Sequence, residues 1–460
     1  MSFCGHLLTA LLVFFLCLNS VSAAESLAAA SGQSPAAGNN GVIREGEVLS
    51  LQRCIETALA RHPSLYGAAG TIQAATSRVG QAESIYYPQV DLLSSFTGGS
   101  SDTVLRRQDS EFTIGGILRQ NIYDFGRRPA QVEIRRYGLD SSRMDFRTVT
   151  DQVVFNVRQA YYSVLRTGRN RNVAVEVVKQ FEQHLEQARD FFRVGLKPKF
   201  DVTKAEVDLS NARLSLITVE NNQRLSWVNL KNAMGVPEAP DFQIERALQF
   251  EPSPLTLEQA LEKAFESRPD LKSLTALEKA AESSLKLAER NYYPVVTGTI
   301  QYSSFGNRLP LEEDWTVGAL VTVPVFNGFL TRHQIDEARA NLVTIRAEKE
   351  SLRQRVILEI QQAFLNLQEA RERISAAQLN VQQAKENLEI ARGRYDAGIG
   401  HPIEVTDALV AYGNAETAYT SALYDYKIDE ANIEKAIGEK LWIVNPPGTA
   451  PVPEQGERVP

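Results

Sequence analysis

Residues 49–88, LSLQRCIETALARHPSLYGAAGTIQAATSRVGQAESIYYP, lie without a gap on residues 255–294, LTLEQALEKAFESRPDLKSLTALEKAAESSLKLAERNYYP. The offset is 206 and 14 of the 40 positions are identical, among them Leu49/Leu255, Leu51/Leu257, Ala58/Ala264, Pro63/Pro269, Leu65/Leu271, Ala82/Ala288 and Glu83/Glu289. Both stretches end on the same triplet, Tyr86-Tyr87-Pro88 and Tyr292-Tyr293-Pro294. Further on the offset becomes 203, which pairs Gly195 with Gly398, Val202-Thr203 with Val405-Thr406, Asn211-Ala212 with Asn414-Ala415 and Gly235 with Gly438. A period near 200 residues is a duplicated structural unit, not a solenoid repeat.

Within each unit the hydrophobic period switches. Leu51 to Arg61 and Leu65 to Ile85 read as helices separated by Pro63, and Pro88 opens a different pattern. Val90, Leu92 and Phe96 alternate with Gln89, Asp91, Ser95 and Thr97; then Phe112, Ile114, Leu118 and Ile122 alternate with Thr113, Arg119 and Asn121. Period two predicts a β-hairpin over 88–124, with strands of about ten residues. The second unit repeats it over 294–326, with Val296, Ile300 and Tyr302, then Trp315, Val317, Val321, Val323 and Val325.

Each hairpin is followed by nearly 70 residues of helical pattern, from about Gly126 to Val194 and from Thr331 to Ala397. At 1.5 Å per residue such a helix is about 100 Å long. Val356, Ile360, Ala363, Leu367, Ala370, Ile374, Ala377, Val381, Ala384, Leu388, Ala391 and Tyr395 keep a 4-3 spacing, the period of a left-handed coiled coil. The first copy matches at Val153, Val157, Ala160, Val164, Ala174, Val178, Phe181, Leu185, Ala188 and Phe192, with Thr167 and Arg171 interrupting. Gly195 and Gly398 stop the helices, Pro198 and Pro402 follow, and returning helices start at Asp201 and Glu404. The returning helix of the second copy alternates Ala408, Tyr412, Ala415, Tyr419, Ala422 and Tyr426. The long helical hairpins are expected over 126–235 and 331–438, so the first repeat is 48–235 and the second 257–438.

The chain has 460 residues, 49 Lys+Arg against 56 Asp+Glu, and 43% hydrophobic residues. General disorder is excluded, and a net charge of −7 without a basic run argues against a nucleic-acid partner. The apolar run Leu7 to Leu18 and the small residues before Ala23 predict a signal peptide over 1–23. Leu16 stands before Cys17 where lipidation needs a small residue, so no lipid anchor is expected. Removal of the signal leaves only Cys54, hence no internal disulfide. A flexible linker is expected over 24–47, a second linker over 236–256 and a disordered tail over 439–460. No later run reaches the roughly 18 to 20 apolar residues that a membrane-spanning helix needs, so any insertion must use strands.

The histidines at 6, 62, 184, 333 and 401 are scattered, and no H-E-x-x-H, G-x-S-x-G, G-x-x-x-x-G-K or C-x-x-C run occurs. Neither catalysis nor a cofactor or metal site is expected; His184 and His333 are expected on solvated helix faces. Four strands cannot close a barrel when the smallest bacterial membrane barrels need about eight, so several chains must pool theirs. The rival reading is a periplasmic coiled-coil structural or adaptor protein whose sheet is soluble, with one wet face.

Over residues 48–440 the chain resembles the TolC-like outer membrane efflux protein family. The resemblance rests on Tyr87-Pro88 and Tyr293-Pro294 opening the hairpins, and on Asn121-Ile122-Tyr123-Asp124-Phe125-Gly126 and Pro324-Val325-Phe326-Asn327-Gly328 closing them. It rests also on the helix turns Val194-Gly195-Leu196 with Asp201-Val202, and Tyr395-Asp396-Ala397-Gly398 with Glu404-Val405-Thr406-Asp407-Ala408. It implies a mixed α and β fold: a trimeric 12-stranded transmembrane β-barrel continued by a long periplasmic α-helical barrel of coiled-coil hairpins. The implied function is a passive exit duct in the outer membrane for drug efflux or type I secretion. The implied partners are two further copies of the chain, outer membrane lipid, a periplasmic adaptor protein, and an inner-membrane transporter of the drug–proton exchanger or ABC type. By resemblance Tyr395 is the gate tyrosine and Asp201 its acceptor, while Glu404 and Asp407 ring the tunnel entrance; Asp201 and Lys204 are their first-repeat counterparts. Val194, Gly195, Leu196, Ala397, Gly398 and Ile399 form the adaptor-contacting tips. The best-known member carries an arginine where this chain has Gly400, which implies that the salt-bridged half of the latch is missing.

Overall fold

The computed structural model describes residues 43–100, 108–246, 256–307 and 311–438. The expected signal peptide, most of the first linker, part of the second and the C-terminal tail lie outside the described residues.

Residues 43–47 and 240–242 form a small unit of their own, in which the Gly46 amide donates to the Asp241 carbonyl at 2.8 Å. The main unit starts at β1 (Val48–Leu49), followed by α1 (Leu51–Arg61) and α2 (Pro63–Glu83). Ser50 Oγ accepts the Arg53 amide at 3.2 Å and caps α1; Pro63 stands at the first position of α2, where its missing N–H costs nothing. In the second repeat α5 (Leu257–Ser267) opens on a reciprocal capping box between Thr256 and Gln259, and α6 (Pro269–Glu289) again starts on proline.

The strands are β2 (Gln89–Ser100), β3 (Gln108–Tyr123), β5 (Val295–Gly306) and β6 (Glu312–Thr322), in one antiparallel sheet of order β2-β3-β5-β6. β3 runs to 16 residues, longer than expected, because it pairs on both edges and ends in a register shift between Asn121 and Tyr123. Cross-strand register gathers Val90, Leu118, Ile300 and Val317 into one row and Leu92, Gly116, Tyr302 and Trp315 into the next. The opposite face carries the rows Gln89, Arg119, Thr299 and Gly318, then Asp91, Ile117, Gln301 and Thr316, then Ser95, Thr113, Phe305 and Glu312. One face is thus apolar and uncovered, with Leu92 79% and Trp315 74% exposed. The other is more polar, although Leu93, Ile117 and Phe305 share it, and on it Asp91 and Arg119 pair at 2.7 Å.

Beneath the sheet run four helices: α3 (Arg127–Arg193) and α4 (Lys199–Ala233), then α7 (Leu330–Asp396) and α8 (Pro402–Ile437). The two long members have 67 residues each, about 100 Å. α3 packs on α4 and α8, and α8 on α7, giving the lateral order α4-α3-α8-α7. Every member of the 4-3 series from Val356 to Tyr395 is buried or half-buried. The first-copy series holds except at its end, where Phe192 is exposed and Phe191 turns inward. The interruption at Thr167 and Arg171 is a polar layer: Thr167 Oγ1 meets Ser226 Oγ at 2.8 Å and Arg171 pairs with Glu220 at 3.2 Å.

Sheet and helices are joined by arginines. Arg127 donates to the carbonyls of Arg290, Asn291 and Tyr293 in the second repeat, and Arg290 in turn donates to the Gly126 carbonyl. Arg128 holds buried Asp124 at 3.0 Å and the carbonyls of Asn121 and Ile122. Within 236–256, Gln243–Ile244 form β4, which pairs in parallel with β1. Two residues are too few for any period to reveal, and the ladder stands because Leu49 and Ile244 are both buried.

Candidate functional site: the helix tips and the uncovered sheet

At the far end from the sheet, α3 and α7 stop on the same device. Gly195 takes φ 80° and Gly398 φ 76°, left-handed values that any side chain would strain. The Leu196 amide reaches back to the Phe191 carbonyl at 2.8 Å, and the Ile399 amide to the Arg394 carbonyl at 3.1 Å. The turns thrust Val194, Leu196 and Ile399 into water, with Gly195, Ala397 and Gly398 exposed between them. Phe200 and Ile403 extend this apolar rim.

Behind the rim the two hairpins of one chain grip each other. Tyr395 is wholly buried, its ring 5.2 Å from His184 and 5.5 Å from Phe191 across the seam. Lys197 Nζ stands 5.5 Å from the Tyr395 ring centre and donates to the Gly400 carbonyl at 3.3 Å. Gln187 donates to Asp396, and Thr406 Oγ1 donates to buried Asp208 at 2.9 Å, whose other oxygen holds Lys204. Burial first, then the Asp201 and Asp396 carboxylates, pushes the Tyr395 phenol up to about 12, so it is a neutral donor at physiological pH.

The Tyr395 hydroxyl makes no hydrogen bond among the described residues, so a Tyr395–Asp201 bond is not formed within the chain. Asp201 is buried in the first turn of α4 and acts on the phenol through its charge. His184 is no solvated residue: it is 4% exposed, because positions 181, 184, 185 and 188 share one helix face. That spacing was the available signal. Lys197 and Gln187 carry no periodic mark at all.

The chain also places a cation at the tip. A Cβ at Gly400 would stand 2.8 Å from the Tyr395 amide nitrogen and 2.9 Å from the Arg394 carbonyl carbon, so no side chain fits this turn as built. Arg394 instead pairs with Glu404 at 3.1 Å, and this hydrogen bond holds the Glu404 carboxyl below the usual range. Asp407 is exposed on the same helix. Glu404 and Asp407 are therefore not equivalent.

Among the described residues no helix is long and apolar enough to cross a membrane, and no cluster of His, Cys, Asp or Glu could hold a metal. What remains is a sheet with one lipid-compatible face and a pair of gripped tips about 100 Å away.

Comparison with known proteins meets these features. The chain is 27% identical to Protein CyaE of Bordetella pertussis over 78% of each chain. It is 23% identical to the outer membrane protein TolC of Escherichia coli, over 89% of this chain and 87% of that one. The Campylobacter jejuni CmeC outer membrane channel superposes with a TM-score of 0.77 at 19% identity, over 84% of this chain and 85% of its own. CusC gives 0.77 at 19% identity over 88% and 95%. The family model described as outer membrane efflux protein matches residues 54–236 and 260–439, which are the two repeats. With the model spanning both repeats and the fold shared with known channels, this chain belongs to the outer membrane efflux protein family and serves as an exit duct of the outer membrane.

Proposed function

We propose that three copies pool their sheets into one 12-stranded barrel and their hairpins into one periplasmic tunnel, through which an inner-membrane pump, joined by an adaptor, drives cargo passively outward. The observation that carries this reading is the sheet itself. β2 and β6 are free edges, and antiparallel order makes them run in opposite directions, so β6 of one copy pairs with β2 of the next without a parallel seam. Closure removes every edge and turns the Leu92–Trp315 face to lipid and the Asp91–Ser95 face to water.

The tips supply the other half of the mechanism. Val194, Leu196 and Ile399 are an apolar rim at the ends of the rods, suited to an adaptor helix hairpin of matching surface. Tyr395, clasped by His184, Phe191 and Lys197, holds the two hairpins of a protomer together at the entrance and acts as the gate. The cargo class is drugs, metals or secreted protein, as the pump delivers.

The test is reconstitution. Purified chain should run as a detergent-stable trimer that dissociates on heating, and should form channels in planar bilayers. A monomer soluble without detergent would instead support the coiled-coil structural protein without a barrel.

A further inference from the structure

Two buried polar groups without hydrogen-bond partners meet in the tip: the Tyr395 hydroxyl and both ring nitrogens of His184. Their rings are 5.2 Å apart across the seam between α3 and α7. The burial of His184 comes from its own chain, so assembly with further copies can only deepen it. A neutral imidazole tolerates that position; an imidazolium, with two N–H groups and a full charge, does not unless it is paired.

We propose that His184 is an acid-sensitive element of the tip latch, whose protonation drives the two hairpins of a protomer apart and unlocks the entrance. This rests on reading the tip as the gate. The charged groups facing the ring come from both neighbouring helices. α4 brings Asp201, Lys204 and Asp208, and α7 brings Arg392 and the Tyr395 phenol. The α8 residues in this cluster, Val405, Ala408, Leu409 and Tyr412, are uncharged at neutral pH. Asp208 and Asp201 favour the imidazolium, while Arg392 and Lys204 oppose it. Asp208 is already committed to Lys204 and Thr406, so burial prevails and the ring's pKa in the closed tip lies below its ordinary 6.5.

The sign of the linkage follows. In separated tips the ring meets water and titrates near 6.5; in closed tips it titrates lower. Above 6.5 both states are neutral and pH has no hold on the latch. As pH falls from 6.5 toward the closed-state value, the separated state alone takes up the proton, and the balance moves toward it by up to about tenfold per pH unit per ring. Ordinary exposed carboxylates titrate about two units below an imidazole and do not produce this response.

The experiment uses the full-length trimer in planar bilayers, with the tip side taken from about pH 7.5 to about pH 5.5. Wild type should open at least tenfold more often at the acid end. His184→Leu, which keeps the seam apolar, and His184→Gln, which keeps it polar and neutral, should both lose that response. An acid response of wild-type size in both variants overturns the proposal and points to Asp151 or Asp429, carboxyls that burial raises to about 6; a wild type indifferent to acid overturns it too. A second arm separates this from failure of the gate. Gln187→Cys with Asp396→Cys places a disulfide across the Gln187–Asp396 contact. Oxidised channels shut at both pH values, with the acid response restored by reduction, support latch and trigger together. Oxidised channels that conduct like reduced ones overturn the gate itself, and the proposal with it.

Discussion

Residue 400 shows how one position reshapes a site that resemblance had outlined. With Tyr395 nitrogen and Arg394 carbonyl carbon within 3 Å of any Cβ placed there, the turn after α7 is built around glycine. Gly400→Ala should therefore cost roughly 1–3 kcal/mol of local stability, as overpacking does. Amide exchange should accelerate over residues 394–402 while the rest of α7 keeps its protection; unchanged exchange there would show that the backbone yields freely. Arg394, six residues upstream, restores a guanidinium to the tip by pairing with Glu404. Gly195, Gly398, Tyr395 and Glu404 were legible because they repeat or match a motif. Lys197 and Gln187 were not, because they matter through contacts between hairpins some 200 residues apart in the chain, while the burial of His184 lay in its spacing with positions 181, 185 and 188.

Among the elements, the strands make the sharper prediction. Leu92 stands in the apolar row with Tyr302 and Trp315, whereas Ser95 stands on the opposite face, in the row with Thr113, Phe305 and Glu312. Leu92→Arg should cost about 2–4 kcal/mol of assembly if the residue faces mid-bilayer, and Ser95→Arg should be tolerated. Heat-stable trimer yield measures both, and equal yields would refute the facing. Strands and long helices were readable from sequence because each repeats its period many times: a seam of twelve positions survives a few exceptions. Short features failed for the converse reason. β4 has only two residues, and at the end of α3 a one-residue rotation puts Phe191 inside in place of Phe192.

In the proposed trimer, three-fold symmetry would bring three copies each of Glu404 and Asp407 to one mouth, where the Arg394–Glu404 pair of each copy would already compensate Glu404. The effective ring would then be three Asp407 carboxylates. A trivalent cation added on the tip side should block current at low concentration. Asp407→Asn should abolish most of that block, Glu404→Gln should remove less, and Arg394→Ala should strengthen it. Block unchanged in Asp407→Asn would take the residue out of the conduction path.

The two unpaired edges of the four-stranded sheet set the order of biogenesis. A lone copy would carry the backbone amides and carbonyls of β2 and β6 into hydrocarbon with nothing to bond, a cost of several kcal/mol for each group left unsatisfied. No single copy can therefore wait in the bilayer for its partners. In the proposed trimer, oligomerisation and membrane entry would become one step, with each chain held outside the bilayer until two others reach it.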